Sequence, residues 1–310
     1  MVRYIGKRIL MMIPVILGIS FIIFTIMNFT PGDPARLVLG ETATYEEIET
    51  WRENEGLNDN FFVRYGRYIK NALQGDFGIT YTTNISVTKE LGDRLPSTMK
   101  LAFGSVVLMV SLGVPIGIIS AVKQYSLIDR ISLVTALLLT SMPAFWLGLM
   151  LILFFSLRLG WFPATGIATW KNYILPCSTL AAAMMASLVR MTRSNMLEVI
   201  KQDYIRTARA KGSREMVVIY KHALRNALLP IITIIGLNFG SLLGGTVIIE
   251  SVFAMPGIGT LTLNAIRMKD TPMVMANVLF IALLAGFINL TVDILYAFVD
   301  PRIRAQYAKN

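Results

Sequence analysis

The longest basic stretch of this sequence is YIRTARAKGSREMVVIYKHALRNALLP, residues 204–230, which carries Arg206, Arg209, Lys211, Arg214, Lys221 and Arg225. Basic groups at helical spacing make no covalent bonds; they hold a partner surface, or fix a chain relative to a membrane. Groups that do bond chemistry are scarce. His222 is the sole histidine and Cys177 the sole cysteine, which excludes an intramolecular disulfide and leaves no thiol cluster for a metal ion. No nucleotide-binding G-x-x-x-x-G-K-S/T loop occurs, since the one Gly-Lys pair, Gly6-Lys7, runs into Arg8. The expectation is a chain that is not an enzyme and holds no cofactor or metal. His222, in YKHALRN, reads as part of a docking or interfacial surface. Cys177 sits among Leu175, Pro176, Ser178 and Thr179 at what looks like a helix entrance, and reads as a packed, inert thiol.

The elements that position the basic stretch are membrane helices. The chain has 310 residues, 55% hydrophobic and 15% charged, with a mean hydropathy of +0.60. Soluble domains carry about a quarter charged residues. A span needs about 20 mostly apolar residues. Reading between charges gives six: 9–32, 101–122, 131–157, 172–189, 226–249 and 271–299. The first follows Arg3, Lys7 and Arg8, but its apolar run is too long for a signal peptide. MNFTPGDP also offers no small-residue cleavage site, so it reads as an anchor.

Lys and Arg positions set the orientation. With the N-terminus cytoplasmic, the inside segments hold 17 of the 29 basic residues, including Arg302, Arg304 and Lys309. The short outside loops hold two each, and the long segment 33–100 holds 8 basic and 11 acidic residues. Both termini are expected inside. The net charge of +10 is thereby explained by topology, and no nucleic-acid partner is required.

Within the basic stretch and just before it, Met196, Val199, Ile200, Tyr204, Thr207 and Ala208 follow an amphipathic i, i+3, i+4 rhythm. Gly212 is placed to end that helix, and Ser213 to cap a second one. The second stripe, from Met216 through Ile219, Tyr220, Ala223 and Leu224 to Leu228, runs into the fifth span at Pro230. Three readings fit: a loop that only sets topology, a DNA-binding helix-turn-helix, and a docking element for another protein. Tethering by spans on both sides argues against DNA. Ala208 and Gly212, one turn apart, leave a smooth surface for a partner's groove.

Other local signals place the remaining elements. In 33–100, Thr44 and Glu47 make a capping-box pattern and Gly56 can stop the helix. A second helix is expected after Asn60, with Phe62, Tyr65, Ile69, Ala72 and Leu73 on one side and Gly75 closing it. Together they read as a small folded cap, its aromatics packed. Pro143 in TSMPAFW should kink the third span. Gly236, Gly240 and Gly244 repeat every four residues, which suits close helix packing, a subunit interface or a pathway lining. Asn238, Asn289 and Asp293 should face protein or water, and Asp293 suits an interfacial cap or ion pair better than a proton relay.

RTARAKGS…ALLP resembles the EAA loop of permease subunits in bacterial ABC importers, whose pattern is Glu-Ala-Ala, three residues, Gly, then Ile-x-Leu-Pro. Aligned on Gly212, the first three positions are Arg206, Thr207 and Ala208, of which only Ala208 matches, and the Leu-Pro arrives five residues late. Both departures are similar to the dipeptide/oligopeptide/nickel permease branch, in which TARAKG and HALRNALLP recur. PGDP, GDFG at 75–78, RLPSTMKLA and GGTVIIESVFAMPGIGTL extend the resemblance over nearly the whole chain.

The resemblance implies an all-α type I ABC importer permease, a B-type subunit of the bacterial cytoplasmic membrane. Its parts would be a tail and first helix at 1–32, an external segment at 33–100, a core at 101–300 with the coupling loop 190–226, and a tail at 301–310. Its implied partners are a second, related permease subunit, two cytoplasmic ATP-binding subunits, an external solute-binding protein and the lipid bilayer. Thr207, Ala208, Gly212 and Ser213 would meet an ATPase, flanked by Arg206, Arg209 and Lys211. Ser141, Met142, Pro143, Asn238, Gly240 and Gly244 are candidates for a pathway or gate, and Glu250, Pro256, Gly257 and Gly259 for an external hairpin. The cargo would be a peptide or similar small solute chosen largely by the binding protein. A stand-alone ion-coupled transporter is the alternative, but it would want buried charges at midplane and inverted repeats. Only Asp293 answers the first and nothing the second. An anchoring subunit without transport is a third option.

Overall fold

The computed structural model describes residues 2–30 and 32–299. Helix α1 (Val2–Phe29) is apolar nearly all round. Many of its side chains lie open, Leu10 at 65% and Ile22 at 56%, which lipid tolerates and water does not. A cap follows. Its first helix is α2 (Pro34–Leu39), where the Asp33 carboxylate accepts the Ala35 N–H at 3.1 Å. In α3 (Tyr45–Asn54) the Thr44–Glu47 capping box is present. Asn60 caps α4 (Phe61–Leu73) through the Phe62 N–H at 3.0 Å. The face α4 uses differs from the expected one: Phe62 and Leu73 are exposed, while Phe61 and Tyr65 pack on Phe21 and Phe24 of α1. Positions 61, 65 and 68 share a side at helical spacing, so Phe61 takes the place expected of Phe62, while Tyr65, Ile69 and Ala72 of the expected face are half-buried.

Helix α5 (Val87–Val122) starts at the cap and passes residue 100 without a break. At about 1.5 Å per residue it is about 54 Å long. Its first turns bury Val87 and Leu91 against Ile258, Met273 and Val274. Helix α6 (Leu127–Ser141) ends where Met142, which precedes proline, is forced to extended backbone. Helix α7 (Ala144–Leu151) then leaves at 104° and continues as a π-helical turn to Arg158. Pro143 therefore breaks the third span instead of bending it. The described residues hold five spanning helices, or six with this bent pair.

The 3-10 turn Trp170–Tyr173 leads into α8 (Ile174–Ile200), which runs past residue 189 through Arg190 and Arg193. Beyond it lie α9 (Asp203–Ala210), the short α10 (Glu215–Val217), a π-helical turn Val218–Ala223, and α11 (Leu224–Gly245). Helices α12 (Val247–Val252), α13 (Ile258–Arg267) and α14 (Thr271–Val299) complete the order. The expected tail at 301–310 lies outside the described residues.

Helices α5 and α8 run parallel and pack along most of their length. A Cβ at Gly113 would sit 3.1 Å from Leu188 Cδ2, and one at Gly117 2.6 Å from Thr192 Cβ. At one end of this pair, the cap end, Cys177 Sγ is buried beside Gly104 and donates to the Leu101 carbonyl at 3.6 Å. The opposite end, the loop end, carries α9.

Candidate coupling surface and cap-end hairpin

At the loop end, α9 is seated by one apolar side chain. Ile205 is fully buried among Met196, Val218, Ile219 and Ala223, with Ala208 packed on the same cluster. The expected stripe is corrected in two places. Tyr204 is exposed and Ile205 buried, because the helix breaks at Lys201–Gln202 and α9 restarts with a new phase. Met216 and Tyr220 are exposed while Val218 is buried; the π-helical turn that begins at Val218 turns Tyr220 off the expected face, and Met216 stands in the short α10 before it.

The end of α9 is closed by backbone alone. Gly212 has φ +79°, a left-handed position. Its N–H donates to the Arg209 carbonyl at 2.9 Å, and the Ser213 N–H donates to the Ala208 carbonyl at 3.3 Å. This is the Schellman arrangement. Ser213 serves there through its N–H, not as a side-chain cap, and Arg214 precedes α10. Across the turn, the Arg209 guanidinium donates twice to Glu215, at 2.7 and 3.1 Å. Thr207 Oγ1 returns to the Asp203 carbonyl at 3.0 Å. Arg206, with Asp203 at 3.9 Å, stands in solvent with it. Arg206, Thr207, Arg209, Lys211 and Gly212 are thus an exposed row on a helix fixed from below, and a Cβ at Gly212 would meet nothing within 4 Å. His222 is half-buried beside this surface.

A buried ion pair behind α9 was not legible in the sequence. Arg193 of α8 donates to both oxygens of Asp129, at 2.7 and 2.8 Å. Asp129 also accepts from Ser120 of α5 and from the Tyr125 N–H at 2.9 Å. One carboxylate therefore ties together the ends of α5, α6 and α8. The only available signal was Asp129 three residues after Ser126, which is a helix-start pattern and names no distant partner.

At the cap end, Glu250 is fully buried with its oxygens satisfied. Thr98 and Thr246 hydroxyls donate to Oε1 at 2.7 and 3.1 Å, and the Thr260 N–H donates to Oε2 at 2.9 Å. A Cβ at Gly257 would collide with this carboxyl, and one at Gly259 would lie 2.9 Å from it. Pro256 lies in the tight connection between α12 and α13. The hairpin candidates Glu250, Pro256, Gly257 and Gly259 are therefore brought together around one carboxylate.

The pathway candidates are not brought together in the same way. Ser141 Oγ is spent on the Leu137 carbonyl at 2.9 Å, and Met142 and Pro143 form the break in the bent pair. Asn238 Nδ2 faces Met109 Sδ at 3.6 Å. The glycine repeat divides: a Cβ at Gly236 would collide with Val292 of α14, whereas Gly240 and Gly244 have open space. Asp293 pairs with Arg8 at 3.2 Å, between α14 and α1.

Comparison with known proteins gives the same answer from two directions. The family model described as "Binding-protein-dependent transport system inner membrane component" matches residues 113–305, and that family's N-terminal model matches residues 1–102. The chain belongs to this family. Among its relatives, the glutathione transport system permease protein GsiC of Escherichia coli is 43% identical over 304 residues, covering 98% of this chain and 99% of the relative. The Shigella boydii protein of the same description is 42% identical over the same length. An inward-facing structure of the MetNI methionine ABC transporter superposes with a TM-score of 0.57 at 21% identity, covering 68% of this chain and 96% of that one.

As a member of this family the chain is a multi-pass permease subunit of an ABC importer, with the type I fold, and not itself an enzyme. The stand-alone ion-coupled transporter is not favoured. The stretches that carried the resemblance also share a location. RLPSTMKLA supplies Thr98, and GGTVIIESVFAMPGIGTL supplies Thr246, Glu250 and Thr260, so two stretches distant in sequence form one hydrogen-bonded knot.

Proposed function

We propose that this permease forms the translocation pathway together with a second, related permease subunit, powered by two cytoplasmic ATP-binding subunits and supplied by an external solute-binding protein. In this reading both termini and α9 are cytoplasmic, and ATP is hydrolysed by the partners. The cargo is a small peptide or peptide-like solute, the class to which the glutathione of the named relative belongs.

The observation that carries the reading is the mounting of α9. Ile205 anchors the helix in the loop-end core while Arg206, Thr207, Arg209 and Lys211 stay exposed. A push on that row is passed through Val218 and Ala223 into the continuous run from α10 to α11. Such an element can carry a two-state change driven by nucleotide in the partner. The test is purification of the tagged chain from its host membrane. The expected result is co-purification of ATP-binding subunits, lost or uncoupled in Gly212→Trp. A chain that transports without them, or that never carries them, would overturn the assignment.

A further inference from the structure

The cap covers a cavity of about 480 Å³ that spans Phe24 of α1, the cap residues and the start of α14 at Thr271 and Pro272. Such a volume suits a small solute. Three of its lining groups are unsatisfied or uncompensated. The Tyr68 hydroxyl is buried and has no hydrogen-bond partner among the described residues. Arg64 is half-buried, with its guanidinium donating to Asn28 Oδ1 at 2.8 Å and lying over the Phe24 ring. Among the described residues it has no carboxylate within ion-pair distance, whereas its neighbour Arg67 is paired with Asp59. Glu55, on the same lining, also lacks an ion-pair partner among the described residues.

Arg64 and the Tyr68 hydroxyl are withdrawn from solvent, whereas Glu55 is exposed at the rim of the same cavity. Burial weakens the Arg64 guanidinium's hold on its proton and raises the Glu55 carboxyl, so both sites discourage the charge they carry. Tyr81, another lining residue, lies close enough to be influenced by both. Among the described residues Arg64 and Glu55 form no ion pair with each other. A half-buried cation beside a buried hydroxyl, sharing a cavity lining with a carboxylate it is not paired to, is complementary to a molecule carrying both signs. A phosphate dianion would gain Arg64 but face Glu55 and Asp76 on the same lining.

We propose that this cavity is a solute site built into the permease itself: Arg64 and Tyr68 hold the carboxylate of a small zwitterionic peptide, and Glu55 its ammonium group. The site is distinct from a pathway through the helix bundle. It rests on the permease reading only for the supply of such solute to the cap end.

The experiment is calorimetric titration of the full chain in nanodiscs, without binding protein or ATPases, using dialanine as probe. Dialanine amide, N-acetyl-dialanine and inorganic phosphate are the comparison ligands. Saturable dialanine binding is expected, weakened about tenfold by Arg64→Gln and by loss of either charge on the ligand, with a smaller loss for the near-isosteric Tyr68→Phe. Thermal unfolding of each variant establishes that it is folded, and Tyr68→Phe keeps the test valid if Arg64→Gln does not fold. Absence of saturable binding to folded wild type overturns the site. So does equal binding by the folded variants, or phosphate binding as tight as dialanine. ATP-driven uptake measured in parallel reports on the permease reading, so uptake without dialanine binding removes the site and leaves that reading intact.

Discussion

Thr98 and Glu250, 152 positions apart, are joined by a buried hydrogen bond of 2.7 Å, and the same Thr98 oxygen accepts the Ile258 N–H at 2.9 Å. One hydroxyl thus links α5 to the end of α12 and the start of α13. Because Thr98 Oγ1 donates to Glu250 and accepts from Ile258, neither side can be exchanged without leaving a buried group unpaired.

Glu250→Gln is expected to destabilise the permease by about 2 kcal/mol. An amide presents a donor to either the Thr260 N–H or the Thr98 hydroxyl, and a buried unsatisfied group costs about 1–3 kcal/mol. Gly257→Ala should do at least as much, since its Cβ collides with the same carboxyl. Thermal unfolding in detergent checks both, and an unchanged midpoint for either variant would contradict the packing argument.

Arg193→Ala should be the most damaging single change at the loop end. Asp129 is nearly fully buried and takes two of its hydrogen bonds from Arg193. Removing one partner of a buried pair costs about 3–5 kcal/mol because the other charge is stranded. Asp129→Ala combined with Arg193→Ala should lose much less than the two single losses added together, and a strictly additive double mutant would show that the pair is not coupled.

The features legible in the sequence were those encoded within a few residues. The Thr44–Glu47 box, the Asn60 cap and the left-handed Gly212 are local, and each stands where its spacing put it. Phase was less secure. A break at Lys201–Gln202 and a π-helical turn after Val217 each rotate the buried face, so Ile205 replaced Tyr204 and Val218 replaced Tyr220. Pro143 was visible, but the 104° turn depends on Met142 becoming extended and on α7 packing against Phe253. The ion pair of Asp129 with Arg193 and the knot around Glu250 join residues far apart, and no local pattern encodes them. The family motifs did mark where the second of these lies.

Stability at the cap end should depend on pH through Asp270. This buried carboxylate accepts the Met273 N–H at 3.3 Å and the Thr82 hydroxyl at 3.2 Å. Burial is the largest influence and raises its pKa above the ordinary carboxylate value, partly opposed by those hydrogen bonds. The folded state therefore binds this proton more tightly than the unfolded chain. That contribution is complete below the ordinary value and is lost as pH rises through the raised one. The unfolding midpoint of wild type minus that of Asp270→Asn should fall as pH rises above the ordinary carboxylate value of about 4. A pH-independent difference would contradict it.

Gly212, just past the end of α9, separates coupling from folding more cleanly than any position on that helix. Gly212→Ala must adopt φ +79° with a Cβ, so a loss of about 1 kcal/mol is expected, with transport largely retained. Gly212→Trp bears the same backbone strain, but its ring projects into open space beside Thr207 and Lys211. Membrane insertion and unfolding midpoint should resemble those of Gly212→Ala, since Ile205 still anchors the helix. Uptake should be abolished, with ATP hydrolysis either uncoupled or lost through release of the ATP-binding subunits. Arg209→Ala is the control for charge: its ion pair with Glu215 is about half exposed, so it should cost under about 1 kcal/mol. Uptake by Gly212→Trp at the level of Gly212→Ala would show that the exposed row carries no partner, and that the basic stretch serves topology alone.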